Sequence, residues 1–244
     1  MIEALLTPSF LVQLAVAAMA GLVRGFSGFG AALILAPGFT LVLPAQDAVV
    51  MTVLLNFTTI TQLLLPALRR ADWREMWPMG LAGMVGVPFG SVLLIAIDDS
   101  VIRRAIGAAV VGFAVAMLAG FQYRGRRSRG ASLVFGALGG VLTGSAGVGG
   151  PPVILYFLSS DRPIANSRAA FIVFFTFIQI AALPVFLATG LVTWALIWRT
   201  ALLVPLYLVT TQIGALLFAR ASEGLARRLA LGSLVMIGTL ALLR

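Results

Sequence analysis

The residues that could do chemistry in this chain sit in two glycine-rich stretches, "GLVRGFSGFGAALILAP" from Gly21 to Pro37 and "GVLTGSAGVGGPPVILY" from Gly140 to Tyr156. Interior glycines weaken a helix by roughly 1 kcal/mol each, so clusters of them in apolar segments mark breaks. Beyond each break the sequence turns helical again, with Pro151 and Pro152 where proline is tolerated at a helix start. Two helix N-termini would then aim free N–H groups at the loops, and such ends bind anions. Gly25, Gly28 and Gly30, with Gly144, Gly147, Gly149 and Gly150, let an oxyanion approach the backbone. Ser27, Thr143 and Ser145 can add hydroxyl donors. The competing reading is close helix packing through small residues.

Arg24 lies inside the first stretch, where a charge is costly and usually functional, and Arg168 follows "IANS" at the start of a long apolar segment. Arg24 reads as a substrate-facing cation or as a snorkelling or helix-ending charge, and Arg168 as a site residue or a loop charge. Asn56, Thr59 and Gln62 share a helical face by their spacing. Thr176 and Gln179 occupy the counterpart segment in the second half. These side chains either coordinate a polar solute or bond neighbouring helices.

Other chemistry is excluded. The chain has no histidine and no cysteine, so no metal cluster of the His/Cys type forms. "GSAGVGG" lacks the Lys-Ser/Thr ending of a phosphate-binding loop, and no carboxylate falls inside an apolar segment. No nucleophile stands beside a base, so the chain is not read as an enzyme and no cofactor is expected.

The elements that must position these residues are membrane helices. Hydrophobic residues make up 61% and charged ones 10%, against about 25% charged in soluble domains. Ala48–Leu68, Met76–Ile97, Val101–Phe121 and Leu225–Leu243 meet or nearly meet the roughly 20 residues that span hydrocarbon. The start "MIEALLTPSF" lacks the basic region of a secretory signal and reads as retained. The net charge of +9 comes from arginines in short loops, which reads as contact with anionic lipid headgroups and not with nucleic acid.

The chain also reads as a duplication. Gly25, Gly28 and Gly30 fall on Gly144, Gly147 and Gly149, Trp73 and Trp77 on Trp194 and Trp198, and "DDSVIRRA" on "SEGLARRL". The expectation is an all-α, polytopic membrane protein in two homologous halves, residues 1–121 and 131–244, joined by a polar Arg-rich loop, 122–130. Each half has one glycine-interrupted element followed by three transmembrane helices. The arms Ala131–Thr143 and Val148–Leu158 are too short to cross, so the element is either a broken crossing helix or a re-entrant hairpin. Re-entry in both halves inverts the second relative to the first. It puts the arginines of 69–74, 124–129, 162–168 and 220–228 on one side, as the positive-inside rule prefers, and leaves chiefly Arg103, Arg104 and Arg244 on the other.

The motifs "GFSGFGAALILAP" and "GSAGVGGPPVILY" opening the two halves, with "NSRAAFIVFF" after the second, resemble the TauE/SafE family of membrane permeases, over Gly21 to Leu243. The resemblance implies export of a small sulfur-containing anion, sulfite or an organosulfonate, across a bacterial inner membrane. It places the family motif on Gly25, Gly28, Gly30 and Pro37, on Gly144, Gly147, Gly149, Gly150, Pro151 and Pro152, and on Arg168. The first half departs by carrying Ala31 and Ala32 where the second has Gly150 and Pro151. The reading is a secondary transporter working by alternating access and able to run on membrane potential. The alternative is a membrane chaperone or assembly partner without transport activity. Oligomeric state is left open, a homodimer included.

Overall fold

The computed structural model describes residues 7–119, 123, 125, 128–158 and 164–220. All regular structure among them is helical. The segment Leu225–Leu243, the arginines 124, 126, 127, 162, 227, 228 and 244, and the acids Asp161 and Glu223 lie outside the described residues.

The chain opens with α1 (Pro8–Ser27), capped by Thr7, whose hydroxyl accepts from Phe10 N–H, with Pro8 in the first turn. It breaks at Gly28 and restarts as α2 (Ala31–Phe39). α3 (Ala45–Thr58) and α4 (Ile60–Leu68) are one apolar run bent by 56°. The bend has a local cause. Thr58 donates to Leu55 O, Thr59 to Asn56 O and Thr61 to Thr58 O, drawing carbonyls away from the helical ladder, and Pro66 follows. α5 (Trp73–Ala96) is capped by Asp72, and α6 is Asp99–Leu118. α7 (Arg129–Ala146) and α8 (Gly150–Leu158) repeat the break of α1 and α2. α9 (Ile164–Ala188) and α10 (Trp194–Arg220) complete the described chain.

Both interrupted elements are helical hairpins. α2 folds back along α1 so that Gly38 faces Val16, and α8 folds back along α7, where the Ser132 and Tyr156 hydroxyls lie 3.1 Å apart. The long arm of the second hairpin is longer than the sequence indicates. Ser128 caps α7 by accepting from Ala131 N–H, so the helix starts at Arg129, inside the stretch read as a connecting loop, and runs 18 residues.

Two helix pairs hold the bundle, each joining an early element to a late one. α1 lies along α10, where Gly21 approaches Tyr207 and Thr210 and Gly25 approaches Thr211 and Ala215. α5 lies along α7, where Gly83 approaches Gly140 and Gly90 approaches Gly144 and Ser145. Contacts ascend together in both pairs, so both run parallel. A Cβ on Gly86 would lie 2.5 Å from Ala137 O, so only glycine permits that approach. α3 and α9 fill the centre, with Val49, Met51, Phe171 and Phe174 almost fully buried. Outward residues such as Leu81, Val85, Phe89 and Val92 of α5 are apolar and exposed. Among the described residues, α1, α5, α9 and α10 are long and apolar enough to cross a membrane, and α3 with α4 makes a fifth span if the bent pair counts as one. The chain is an integral membrane protein.

Candidate functional site

The two glycine loops approach the same place. Gly28 and Gly30 adopt φ of 78° and 87°, and Gly147 adopts 69°, left-handed values that cost a side-chain-bearing residue roughly 1–2 kcal/mol. These turns end α1 and α7 and aim α2 and α8 back along their partners. Between them is a cavity with about 380 Å³ of empty space including its open mouth, and its wider part holds about one or two waters. α1 contributes Arg24, and the first loop with the start of α2 contributes Gly30, Ala31, Ala32 and Leu33. α3 contributes Thr52, Val53 and Asn56, the second hairpin Thr143, Gly147 and Gly150, and α9 Phe175 and Gln179.

Arg24 sets the electrostatics. It is 3% exposed, its Nη1 donates to Gly28 O at 2.9 Å, and its guanidinium carbon sits 5.0 Å from the Phe175 ring centroid. Its Nε has no hydrogen-bond partner. Among the described residues the one ion pair is Arg103 with Asp99, on α6, so no carboxylate neutralises Arg24. A buried, unpaired cation with a free donor is costly unless an anion completes it.

The helix start of α2 adds to this field. Gly30 at its N-cap makes no side-chain capping bond, leaving the first N–H groups of Ala31 and Ala32 free at the cavity wall. The start of α8 is poorer, because Pro151 and Pro152 carry no N–H.

The hydroxyls behave differently from the expectation that they donate to a ligand. Thr143 donates to Gly139 O at 2.8 Å, Thr52 to Ala48 O at 2.7 Å and Ser145 to Val141 O at 2.8 Å. Ser27 lies 2.7 Å from Val23 O and 2.6 Å from Phe29 O. Each hydroxyl hydrogen is drawn to a carbonyl of its own helix or loop, the usual outcome for Ser and Thr inside a dry helix. Asn56 bridges elements, its amide donating to Thr52 O at 2.8 Å while its carbonyl accepts from Tyr207 O–H at 2.9 Å. Gln179 is 4% exposed and its Oε1 has no partner.

Of the residues singled out from sequence, the cavity brings together Arg24, Gly30, Asn56, Thr143, Gly147, Gly150 and Gln179. The others do not line it. Gly25 packs on Thr211 O, Gly144 on the α5 backbone, and Gly149 on Gly139 O and the Thr143 hydroxyl. Gly28 backs onto Arg168, whose Nε and Nη2 donate to Phe26 O at 3.1 Å and Gly25 O at 2.5 Å. Arg168 thereby caps the carbonyl end of α1, a favourable place for a cation. Its guanidinium also lies 4.4 Å from the Phe218 ring centroid. Thr59 is fully buried at the α3–α4 bend, Gln62 keeps a partnerless Oε1 on α4, and Thr176 donates to Ile172 O. The sequence reading missed Thr52, Val53, Leu33 and Phe175 on the wall and Tyr207 behind Asn56.

Residues 13–241 match the profile of the family described as Sulfite exporter TauE/SafE. The chain is 27% identical over 175 residues to the probable sulfite/organosulfonate exporter TauE of Cupriavidus necator, covering 70% of this chain and 68% of that protein. No solved structure matches the chain.

Proposed function

We propose, from the premise that the chain belongs to the sulfite exporter TauE/SafE family, that it is a secondary transporter carrying sulfite or an organosulfonate out across a bacterial inner membrane. The observation that carries the proposal is Arg24, a buried cation without a carboxylate partner among the described residues, on the wall of a cavity where two broken helices meet. An anion bound there gains the guanidinium, the free N–H groups at the start of α2 and one hydrogen of the Asn56 amide. These are preorganised partial and whole positive charges at a point where the backbone approaches closely.

The mechanism we infer is alternating access about this cavity, with the two halves as inverted repeats. Three contacts support the inversion. Gln46, at the start of α3, donates to Leu94 O near the end of α5, and Asp99, just beyond that end, accepts from Ala45 N–H. α2 has by then returned to the level of Val16 on α1. α5 therefore runs back toward the start of α1, and α7, parallel to α5, runs opposite to α1. Loop charge agrees, since Arg69, Arg70, Arg74 and Arg129 fall at one end of the bundle, the cytoplasmic end in this reading. A negative interior then drives anions outward by roughly 2.3 kcal/mol per net charge per 100 mV.

The test is efflux from proteoliposomes containing the purified chain, loaded in turn with sulfite, methanesulfonate, sulfate and chloride. Sulfite or methanesulfonate efflux above that of empty liposomes is expected. Its absence for every anion refutes the proposal.

A further inference from the structure

We infer that the cavity balances one negative charge and therefore carries monoanions, bisulfite or a sulfonate, while excluding the dianions sulfite and sulfate. This rests on the export reading above and narrows its substrate.

The charge on each element around the cavity carries the argument. α1 supplies Arg24, the one charged side chain on the wall. α9 supplies Arg168, but its Nε and Nη2 are turned away onto Phe26 O and Gly25 O at the end of α1. α10 supplies Tyr207, a neutral phenol that donates to Asn56. α3 and the second hairpin present Thr52, Asn56 and Thr143, all uncharged, and Val53 and Phe175 are apolar. A monoanion against Arg24 leaves a neutral pair in a low-dielectric site. A dianion leaves one negative charge with only the partial charge of the α2 terminus to meet it, and an uncompensated buried charge is strongly disfavoured.

Gln179 adds a second observation. Its Oε1 is a buried acceptor without a partner, on the wall of the same cavity as Arg24. Opposite a fully ionised oxyanion this oxygen meets only lone pairs. Opposite bisulfite it can accept an O–H, and opposite a sulfonate or any other fully ionised oxyanion the amide can turn about its last torsion and offer N–H instead, so the discrimination rests on charge.

The experiment uses the full chain in proteoliposomes at clamped, equal pH on both sides, across sulfite's second ionisation. Methanesulfonate efflux is expected to stay flat. Sulfite efflux is expected to fall about tenfold per pH unit above that ionisation, following its protonated fraction. Sulfate is expected to compete at least about a hundredfold more weakly than methanesulfonate. Gln179→Lys supplies a second positive charge and should strengthen sulfate competition, and if that variant does not fold, the wild-type pH series still decides. Sulfate competing as well as methanesulfonate, or sulfite efflux rising with its dianionic fraction, overturns the inference. No efflux of any anion at any pH overturns the export reading itself.

Discussion

Replacing Arg24 by Gln separates binding from stability, because binding should fall while stability barely moves. In the folded chain Arg24 gains one hydrogen bond, Nη1 to Gly28 O at 2.9 Å, and the Phe175 face, while bearing the cost of a buried charge and an unpaired Nε. A lost charge-assisted hydrogen bond costs about 1.5–3 kcal/mol, and relief of the buried charge offsets a comparable amount. Stability should therefore change by less than about 1 kcal/mol in either direction. Substrate loses its one formal counter-charge and a charge-assisted hydrogen bond, which removes about 2–3 kcal/mol, or roughly thirty- to 150-fold in apparent affinity. The assay is KM for methanesulfonate efflux, paired with the unfolding midpoint of the same preparation in detergent. Ser27→Ala is the control, because its hydroxyl is held by Val23 O and Phe29 O and has nothing to offer an anion. An unchanged KM for Arg24→Gln, or a KM shift no larger than that of Ser27→Ala, would refute the assignment.

Four further outcomes are expected. Gly150→Ala places its methyl 3.2 Å from Ile154 Cδ1 and 3.4 Å from Phe175 Cζ, so flux should fall while folding survives. Gly147→Ala meets nothing closer than 3.5 Å but is strained by its φ of 69°, so it should lose about 1–2 kcal/mol of stability, read as a lower unfolding midpoint. In the naturally cysteine-free chain, Gly125→Cys and Gly190→Cys should label with impermeant thiol reagents from opposite sides of the membrane, and labelling from one side for both contradicts the inverted arrangement. An inside-negative potential imposed at equal pH should accelerate methanesulfonate efflux, and indifference to voltage would remove the electrogenic step.

Much of the fold and part of the site were legible because they rest on residues with few alternative uses. A charge in an apolar segment and glycines at helix breaks are costly, so Arg24, Gly30 and Gly147 stood out. The parts that were not legible have physical reasons. Phe175 and Tyr207 sit in apolar runs, where an aromatic is indistinguishable from packing until its neighbours are known. Thr52 has the pattern of an ordinary helical threonine. Gly25 and Gly144 belong to the same motifs as the cavity glycines, yet they pack helices, because alternate positions on a helix face different neighbours. The length of α7 depended on Ser128 capping the chain early, and the 56° bend at Thr59 on a run of side chains bonded to their own backbone. From sequence Arg168 reads equally as a site residue or a loop charge, whereas its contacts are to carbonyls of a helix 142 and 143 positions away in the chain.

The prolines at the start of α8 bear on stoichiometry. Two hairpins of similar shape invite the expectation of two equivalent ligand sites. Pro151 and Pro152 remove two backbone donors from the second hairpin, and its counterpart to Arg24 is the uncharged Thr143. The second hairpin therefore supplies shape without charge, and a single anion site per chain is the expected outcome. Titration should give an isotherm with one anion per chain and no cooperativity within it. A chimera carrying Ala and Leu in place of Pro151 and Pro152, with Thr143 changed to Arg, would be the route to a protein that holds two.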